Sequence, residues 1–246
     1  MKRAEEEIKQ RYDSMKAIRD ELLSLTASPL YKYRTENNYF PVIGEGDHFA
    51  EIMFVGEAPG QNEAKKGRPF CGASGKFLDL MIASIGLLRK DVYITNLVKD
   101  RPPENRDPEP AEIELYGPFL NRQIEIIKPK VVIALGRHSM KYLMELFGLE
   151  NELLPISKIH GKVFTPNKSN KVNIQIDELP KVVCLYHPAV ALYNGSMREV
   201  LINDFKVISE TIGIEKKEKS NNTSDQGDKD DGEQDAPNVV QLELIK

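Results

Sequence analysis

The sequence contains no tryptophan, two cysteines and no long apolar segment. Cys71 and Cys184 are too few for a disulfide framework and lack the spacing of a metal site, so we expect two reduced thiols in apolar surroundings and no metal. No apolar run approaches the roughly 20 residues that span a bilayer. The charged N-terminus lacks the apolar centre of a signal peptide. These absences predict a cytoplasmic protein that does not bind membranes.

Negative charge is concentrated at the C-terminal end. Residues 213–246 carry nine acidic and five basic side chains, a net charge of -4, which equals the net charge of the whole chain. Residues 1–212 are therefore neutral, which neither indicates nor excludes a nucleic-acid groove. We expect a helix over 1–25 packed on a domain at 26–212, followed by a disordered acidic tail at 213–246. The apolar end of that tail, Val239 to Ile245, is either a docking peptide for a protein partner or a segment that folds back on the body.

Short apolar runs alternate with helical patterns along the body of the chain. The runs predict central strands at 51–55, 92–94, 131–135 and 182–185, and a hairpin or a pair of short strands at 156–164 and 172–176. The helical patterns lie at about 75–88, 111–127, 136–147 and 197–211. This alternation predicts an α/β fold, a three-layer α/β/α sandwich with a central, mostly parallel sheet of about four strands.

Two glycine-rich loops follow the first predicted strand. In residues 56–63, two glycines bracket a proline, so the chain leaves a buried strand, turns sharply and lets its backbone approach another group closely. Open α/β sheets build their sites at the carboxyl ends of strands. In residues 67–72, Phe70 stands on a turn between Gly67, Pro69 and Gly72, where its ring could stack on a flat ligand.

A nucleotide-binding P-loop is suggested superficially by residues 72–76, Gly-Ala-Ser-Gly-Lys. That loop requires glycine at position 70 and serine or threonine at position 77. Both positions are phenylalanine, so this interpretation fails.

Several further blocks accompany these loops along the chain. Together the blocks are Gly56 to Gly60, Glu63, Gly67 to Phe70, Thr95-Asn96, Arg101 to Arg106 and His187-Pro188-Ala189. They resemble those of the family 4 uracil-DNA glycosylases, in the same order and at similar spacing, over roughly residues 20 to 210. The resemblance implies the uracil-DNA glycosylase fold and a monofunctional enzyme of base excision repair. Such an enzyme flips uracil out of DNA and hydrolyses its N-glycosidic bond, leaving an abasic site.

The resemblance also assigns roles to single residues. Asn96 reads uracil, whose O4 and N3–H edge suits a fixed amide, and Phe70 stacks on the base. His187, held between a strand and Pro188, donates to uracil O2 as negative charge develops there. On ordinary grounds the same residues could be a turn cap, a core aromatic and a structural histidine.

The first loop supplies the carboxylates. Some relatives carry an aspartate that activates water where this chain has Ala58, so Glu63 becomes the candidate to orient water or to balance the cationic sugar, unless it is a solvated surface residue. The predicted catalytic residues are His187, Glu63 and Glu57, and the predicted substrate-binding residues are Ala58, Phe70, Asn96, Gly56 and Gly60.

Predicted DNA contacts lie near helix starts and on the loop after His187. Leu192 is the candidate wedge that fills the gap left by a flipped nucleotide. Where the family often has arginine, this chain has Tyr193, so ring packing is expected to replace one phosphate contact. The predicted DNA-binding residues are Arg68, Ser74, Lys76, Leu192 and Ser139.

Family 4 members usually hold a four-iron four-sulfur cluster on four cysteines. Neighbouring residues align those positions with Leu25, Ser28, Asp100 and Tyr116, so we predict that the cluster is absent. Packing by Leu25, Leu30 and Tyr116 is expected to take its place. The sequence thus predicts a monomeric, cofactor-free, nucleoid-associated prokaryotic glycosylase acting on uracil-containing DNA. The alternatives are a catalytically degenerate DNA-binding or interaction protein and, more weakly, a hydrolase of small nucleotides.

Overall fold

The computed structural model describes residues 2–167 and 174–213. Along the chain, the first half contains α1 (Lys2–Leu23), α2 (Tyr31–Glu36), β1 (Glu45–Gly46), β2 (Ile52–Gly56), α3 (Gln61–Lys66), α4 (Ala73–Ser84), β3 (Tyr93–Asn96) and α5 (Pro110–Ile127). The second half contains β4 (Val131–Leu135), α6 (Arg137–Leu146), α7 (Ile156–Ile159), β5 (Lys162–Phe164), β6 (Lys181–Leu185), α8 (Val190–Tyr193) and α9 (Met197–Ile212). Single 3-10 turns lie at Arg89–Asp91, Pro103–Asn105 and Glu150–Glu152. In the described part of the chain, no helix is long and apolar enough to cross a membrane.

The described strands form one sheet in the order β1-β3-β2-β4-β6-β5. The four central strands pair in parallel, as the sequence predicts, while β1 and β5 pair antiparallel at the two edges. The expectation of about four strands is therefore too low, because the sheet has six in the described residues. The edge strands have two and three residues, which is too short for an alternating pattern to be seen in the sequence.

The sequence predicts a hairpin or a pair of short strands over 156–164 and 172–176, and the structure bears out one short strand in the first range. Ile156–Ile159 is a helical turn, whereas Lys162–Phe164 is β5, which pairs with β6. Residues 172 and 173 lie outside the described residues, and 174–176 form no strand.

Helices cover both faces of the sheet, which confirms the three-layer architecture. Strand β2 is buried along its whole length, and its side chains alternate between two cores. Met53 and Val55 face the core under α1, α5 and α6, whereas Ile52 and Phe54 face the core under α4 and α9. A strand buried on both faces reads as a continuous apolar run, which is why the central strands were visible in the sequence.

Helix α1 packs against α5 through one apolar face. Met15, Ile18 and Leu22 on that face are buried in the core. The predicted division at residues 25 and 26 remains a prediction. The acidic tail and its apolar end, Val239 to Ile245, lie outside the described residues.

The parallel strands bring their carboxyl ends to one edge of the sheet. Gly56 at the end of β2 is in register with Asn96 at the end of β3. Gly136 directly follows β4, and His187 lies two residues after β6. Residues more than a hundred positions apart in sequence therefore share this edge, where open α/β sheets bind ligands.

Candidate active site

Gly56 forms the point at which three predicted site residues meet. A Cβ atom added at Gly56 would lie 2.3 Å from Asn96 Oδ1 and 2.7 Å from Phe70 Cζ. Both distances are shorter than any real contact, so only glycine fits between the amide and the ring. The sequence-based grouping of Gly56, Phe70 and Asn96 therefore matches their positions in the fold.

Phe70 is held in an unusual backbone conformation. Its φ angle is +47°, in the left-handed region that L-residues seldom adopt, and its side chain is buried. The carbonyl oxygen of Phe70 would lie 1.6 Å from a Cβ at position 75, so the start of α4 can approach this turn only with Gly75. Backbone strain of this kind needs support from the surrounding structure.

Arginine side chains supply part of that support. Arg89 donates to the carbonyl oxygens of Pro69 and Phe70 and to the carboxylate of Asp79. Arg68 donates from Nε and Nη2 to the two oxygens of Glu45, at 2.9 and 2.8 Å, and Arg89 Nε reaches Glu45 Oε1 at 3.1 Å. Burial opposes ionisation of Glu45, but the two guanidinium groups hold its pKa below the ordinary value. Arg68, predicted to contact DNA, thus braces the Phe70 loop while remaining partly exposed.

His187 stacks against Phe70, with ring centroids 5.5 Å apart and an interplanar angle of 29°. Burial lowers the pKa of His187 to about 4, so the imidazole is neutral near pH 7. The backbone N–H of Ala189 donates to His187 Nδ1 at 3.2 Å. Because Nδ1 accepts, the ring hydrogen of the neutral imidazole lies on Nε2, which is therefore a hydrogen-bond donor.

Asn96 is almost completely buried, with 2% of its surface exposed. Its main-chain carbonyl is bonded from behind by Lys99 Nζ at 2.6 Å. Every fully buried side-chain nitrogen or oxygen among the described residues has a partner, whereas no described residue hydrogen-bonds the Asn96 amide, so the amide keeps some contact with solvent. The amide thus lies beside Gly56 with its donor and acceptor free for a ligand.

Glu63 joins the two loops of the site. Its Oε1 accepts hydrogen bonds from the backbone N–H groups of Cys71 and Gly72, at 3.1 and 2.9 Å. Its Oε2 lies beside Gly60, where an added Cβ would be 2.7 Å away. Glu63 is therefore not a freely solvated glutamate. It holds the start of α4 against the first loop, and no pattern in the sequence indicates these contacts.

Glu57 lies in a polar group with Asp107 and His138, whose potential ligand atoms are within 4.8 Å of one another. Burial raises the pKa of Glu57, and His138 opposes that shift. The Arg137 guanidinium donates both to His138 Nε2 and to Asp107, so two of the three potential ligands already bind a positive charge. We assign no metal to this group. Ala58, next to Glu57, packs against the core.

The residues predicted to contact DNA differ in accessibility. Lys76 is exposed and Ser74 is half-buried in the first turn of α4. Leu192 on α8 is exposed. Tyr193 is 90% exposed, so its ring packs on no described residue, and its packing in place of a phosphate contact remains a prediction. The Ser139 side chain is fully buried and donates to the Gly136 carbonyl, which leaves only its backbone for any contact with phosphate.

Three of the four positions that align with cluster cysteines meet in the core. Ser28 Oγ is 2.7 Å from the hydroxyl of Tyr116, which donates to Asp100 Oδ2 at 2.6 Å. Arg34 Nη1 donates to both oxygens of Asp100, at 3.2 and 3.0 Å, and also to the carbonyl of Leu22 at the end of α1. Hydroxyl, phenol and carboxylate groups bonded to one another do not supply the thiolates that iron–sulfur clusters need. These residues therefore do not fit the cluster.

The apolar packing expected around these positions is present. Leu30 and Tyr116 are buried, and Leu25 packs at the edge of the same core. Arg34 was missed by sequence reasoning, because nothing in the sequence indicates that its side chain turns inward from α2.

Other important residues were also missed. Lys99 and Gln123 lie directly behind Asn96, and Glu45 and Arg89 lie behind Phe70. Charged residues in a single sequence are normally assigned to the surface, so burial of Lys99 and Glu45 had no recognisable signal.

The arrangement defines the class of site. It is a site of an α/β protein in which a ring, an amide and a neutral imidazole donor lie together at the carboxyl edge of the parallel strands. Such groups can hold a flat ring along one hydrogen-bonding edge and stabilise negative charge on it.

Comparison with known proteins gives the family. The family model described as Uracil DNA glycosylase superfamily matches residues 43–207, and the chain belongs to this superfamily. It is 49% identical over 199 residues to the type-4 uracil-DNA glycosylase of Sulfurisphaera tokodaii, covering 80% of this chain and 84% of that protein. It is 46% identical over 201 residues to the type-4 enzyme of Archaeoglobus fulgidus, covering 82% and 94%. The type-4 enzyme of Thermotoga maritima is 36% identical over 200 residues, covering 80% and 93%.

Proposed function

We propose that this protein is a uracil-DNA glycosylase, which hydrolyses the bond between uracil and deoxyribose in DNA and leaves an abasic site for base excision repair. The observation that carries the proposal is the meeting of Asn96 and Phe70 at Gly56, with His187 stacked on Phe70, in a chain similar to type-4 uracil-DNA glycosylases over most of its length.

Asn96 recognises the base in this proposal. A uracil flipped out of the helix offers an acceptor at O4 and a donor at N3–H, and an amide presents one donor and one acceptor in the same plane. The main-chain carbonyl of Asn96 is held by Lys99, and Gly56 leaves room beside the side-chain amide. Cytosine reverses the donor and acceptor at these positions, so a fixed amide rejects it. The Phe70 ring covers one face of the base.

His187 stabilises the departing base. When the C1′–N1 bond breaks, its electron pair leaves with N1, and the negative charge spreads to O2 while the sugar becomes cationic. A neutral imidazole with its hydrogen on Nε2 can donate a hydrogen bond to O2 and keep its proton while doing so. Because the geometry is set before the reaction, little reorganisation is needed in the transition state.

Water completes the reaction. Its oxygen bonds to C1′ of the sugar cation, one proton leaves the attacking water, and the uracil anion takes up a proton to become neutral uracil. We assign the orientation of this water to Glu63, which is fixed by Cys71 and Gly72 through one oxygen and has Oε2 on the side of Gly60. Glu57, which directly follows β2, balances the positive charge on the sugar.

The DNA itself lies across the starts of α4 and α6 and the α8 loop in this proposal. Lys76 and the backbone N–H groups at Ser74 and Ser139 provide contacts for phosphates near helix N-termini. Arg68 contributes positive charge at the Phe70 loop. The exposed Leu192 enters the base stack where uracil has left it.

We further propose that the enzyme acts as a monomer without a cofactor, on the nucleoid in the cytoplasm of a prokaryote. One flipped nucleotide is engaged by groups that all belong to a single chain. The residues at the cluster positions bond to one another. The apolar segment from Val239 to Ile245 is proposed to dock on a protein partner.

Cleavage of a labelled oligonucleotide with one uracil tests this function. The protein is incubated with the oligonucleotide under single-turnover conditions, and abasic sites are converted to breaks with alkali. We expect cleavage by the wild type and a fall of at least about 100-fold in Asn96→Ala and His187→Ala. Asn203→Ala, an exposed asparagine on α9, is the matched control and should cleave normally.

The outcomes separate the proposal from the alternative of a degenerate binding protein. A wild type that binds uracil-containing DNA without cleaving it would overturn the proposal in favour of that alternative. Cleavage that is unchanged in both variants would leave the activity but contradict the site.

A further inference from the structure

Lys99 is a lysine with no exposed surface directly behind the base-reading asparagine. In the described part of the chain its Nζ atom has three close partners. It donates to the carbonyl oxygen of Asn96 at 2.6 Å, to Gln123 Oε1 at 2.6 Å and to Thr95 Oγ1 at 2.8 Å. Such a group is costly to bury, so its retention beside a functional residue calls for a role.

The hydrogen bonds around Nζ determine how many hydrogens it carries. The Asn96 carbonyl can only accept. Gln123 Nε2 donates to the carbonyl of Ile43 at 2.8 Å, which orients Oε1 toward Lys99 as an acceptor. Thr95 Oγ1 is 2.6 Å from the same Ile43 carbonyl, and two oxygens this close need a hydrogen between them, so the threonine hydrogen is already used. All three partners of Nζ are thus acceptors, and satisfying them requires three hydrogens, which only the ammonium form has.

The positive charge of this ammonium is not balanced by a carboxylate. Within residues 2–167 and 174–213, Lys99 forms no ion pair, and the neighbouring carboxylate of Asp100 is bound by Arg34 and Tyr116. Burial lowers the pKa of Lys99, and the three acceptors oppose that shift by favouring the charged form. Among the described residues, this charge is therefore stabilised by oriented dipoles, and no carboxylate compensates it.

The same contacts hold the end of β3 in position. Gln123 lies on α5, and both Gln123 and Thr95 reach Ile43 in the chain before β1. The carbonyl of Lys99 accepts a hydrogen bond from Val42 N–H at 2.7 Å. Beyond Asn96, Leu97 and Val98 donate to the carbonyls of Gly56 and Glu57 in the first loop. Lys99 therefore links the residue that reads the base to a helix and to both neighbouring loops.

We propose that Lys99 is a buried ammonium that acts through Asn96 as a positioning residue, and that its uncompensated charge favours departure of the uracil anion. This inference rests on the proposed function. Negative charge appears on the base only as the glycosidic bond breaks, so a fixed positive charge behind Asn96 stabilises the transition state more than the bound substrate. Because Lys99 is fully buried, water screens this interaction little.

The charge itself can be measured in the unaltered protein. Nitrogen NMR of protein labelled with ¹⁵N-lysine distinguishes an ammonium Nζ from an amine, and the spectrum of a Lys99→Met variant identifies the signal. We expect the ammonium signal for Lys99 at pH 7. An amine signal would overturn the proposal whatever the enzyme's activity, and because the wild type carries this readout, loss of folding in a variant does not obscure it.

Kinetics then tests the role of the charge. Lys99→Met keeps the length of the side chain without the charge, Lys99→Arg restores a charge, and the exposed Lys158→Met is the control. A unit charge on the order of 8 Å from the leaving group, at an effective dielectric constant of about 20, corresponds to about a 30-fold change in rate. We expect kcat for uracil to fall by about that factor in Lys99→Met, with KM little changed and partial rescue in Lys99→Arg.

The leaving group separates an electrostatic role from a purely structural one. The anion of 5-fluorouracil is more stable than that of uracil, because fluorine withdraws electrons, so its departure depends less on help from the protein. The defect of Lys99→Met should therefore be clearly smaller with 5-fluorouracil than with uracil in the same oligonucleotide.

The proposal would be overturned if the fall in kcat of Lys99→Met were equal with both bases. It would also be overturned if that fall were fully explained by the fraction of the variant that is unfolded. If the wild type cleaves neither base, the proposed function itself fails, and this result is distinct from a cleaving wild type with an indifferent Lys99→Met.

Discussion

The hydrogen-bonded group at the positions of the cluster cysteines should be a major source of stability. Arg34 and Asp100 are 5% and 0% exposed, respectively, and are joined by two contacts from Arg34 Nη1. In Asp100→Ala the guanidinium of Arg34 would stay buried without its counter-ion. Removing one partner of a buried ion pair costs about 3–5 kcal/mol, because the remaining charge is uncompensated.

Two further substitutions in this group should cause smaller losses of stability than Asp100→Ala. Tyr116→Phe removes the hydroxyl that links Ser28 to Asp100, and we expect a loss of about 1–3 kcal/mol because buried acceptors lose a donor. In Asp100→Asn the side chain keeps an acceptor for Arg34 but no longer carries a charge. The loss of stability in this variant should therefore lie between the losses in Tyr116→Phe and Asp100→Ala.

Unfolding in guanidinium chloride, followed by circular dichroism, measures these losses. For a chain of this size, a loss of 3–5 kcal/mol also lowers the melting temperature by roughly 10 °C. The control is Glu145→Ala, which breaks an exposed ion pair with Lys141 and should have no measurable effect. Below the melting transition, the activity of folded Tyr116→Phe should match that of the wild type, since the group braces the fold behind the pocket.

Two results would refute this reasoning. One is an Asp100→Ala variant that is as stable as Glu145→Ala, which would mean that the buried pair contributes nothing. The other is stoichiometric iron in the purified wild type by elemental analysis, because a bound cluster cannot share these positions with the hydrogen bonds described above.

Three further predictions concern the pocket. Gly56→Ala should lower uracil excision by at least about 100-fold while the protein stays folded, because its Cβ would lie 2.3 Å from Asn96 Oδ1. The control Gly195→Ala, whose Cβ would have no atom within 4 Å, should be active. Equal activity of the two variants would contradict the geometry of the site. The pKa of His187, lowered by burial to about 4, lies below its unfolded value of about 6.5, so its contribution to stability is present above pH 6.5 and is lost as the pH falls toward 4. At pH 5 the loss is about 2 kcal/mol relative to pH 7, and denaturant unfolding should show a smaller loss in His187→Gln; an identical pH dependence would exclude this titration. Leu192→Ala should slow excision from double-stranded DNA by about 10-fold and excision from single-stranded DNA much less, because only a duplex leaves a gap to fill. Equal effects on both substrates would argue against a wedge.

The sequence alone was enough to predict the architecture and the general position of the site. The central strands are buried on both faces, so Ile52 to Val55 and Val131 to Leu135 appear as continuous apolar runs. Parallel strands place their carboxyl ends at one edge, so the loop at Gly56 and the residues Asn96 and His187 could be expected together. The glycines and prolines of the loops constrain the backbone locally, and local constraints are legible in a sequence.

Tertiary structure decided which polar side chains support the site and from which side. Glu63 could have been a solvated glutamate, and only the approach of α4 brings the N–H groups of Cys71 and Gly72 to its carboxylate. The pairing of Arg68 with Glu45 likewise depends on an edge strand of two residues, which leaves no pattern in the sequence.

Burial of charged groups was the least predictable property. The inward direction of Lys99 and Arg34 follows from acceptors on distant segments, Gln123 for the first and Asp100 for the second. A hydrogen bond between residues far apart in sequence requires that the fold exist before the bond can form. The apolar pattern therefore determined the framework of this protein, whereas the polar network behind its pocket was determined only when the packed framework brought those residues together.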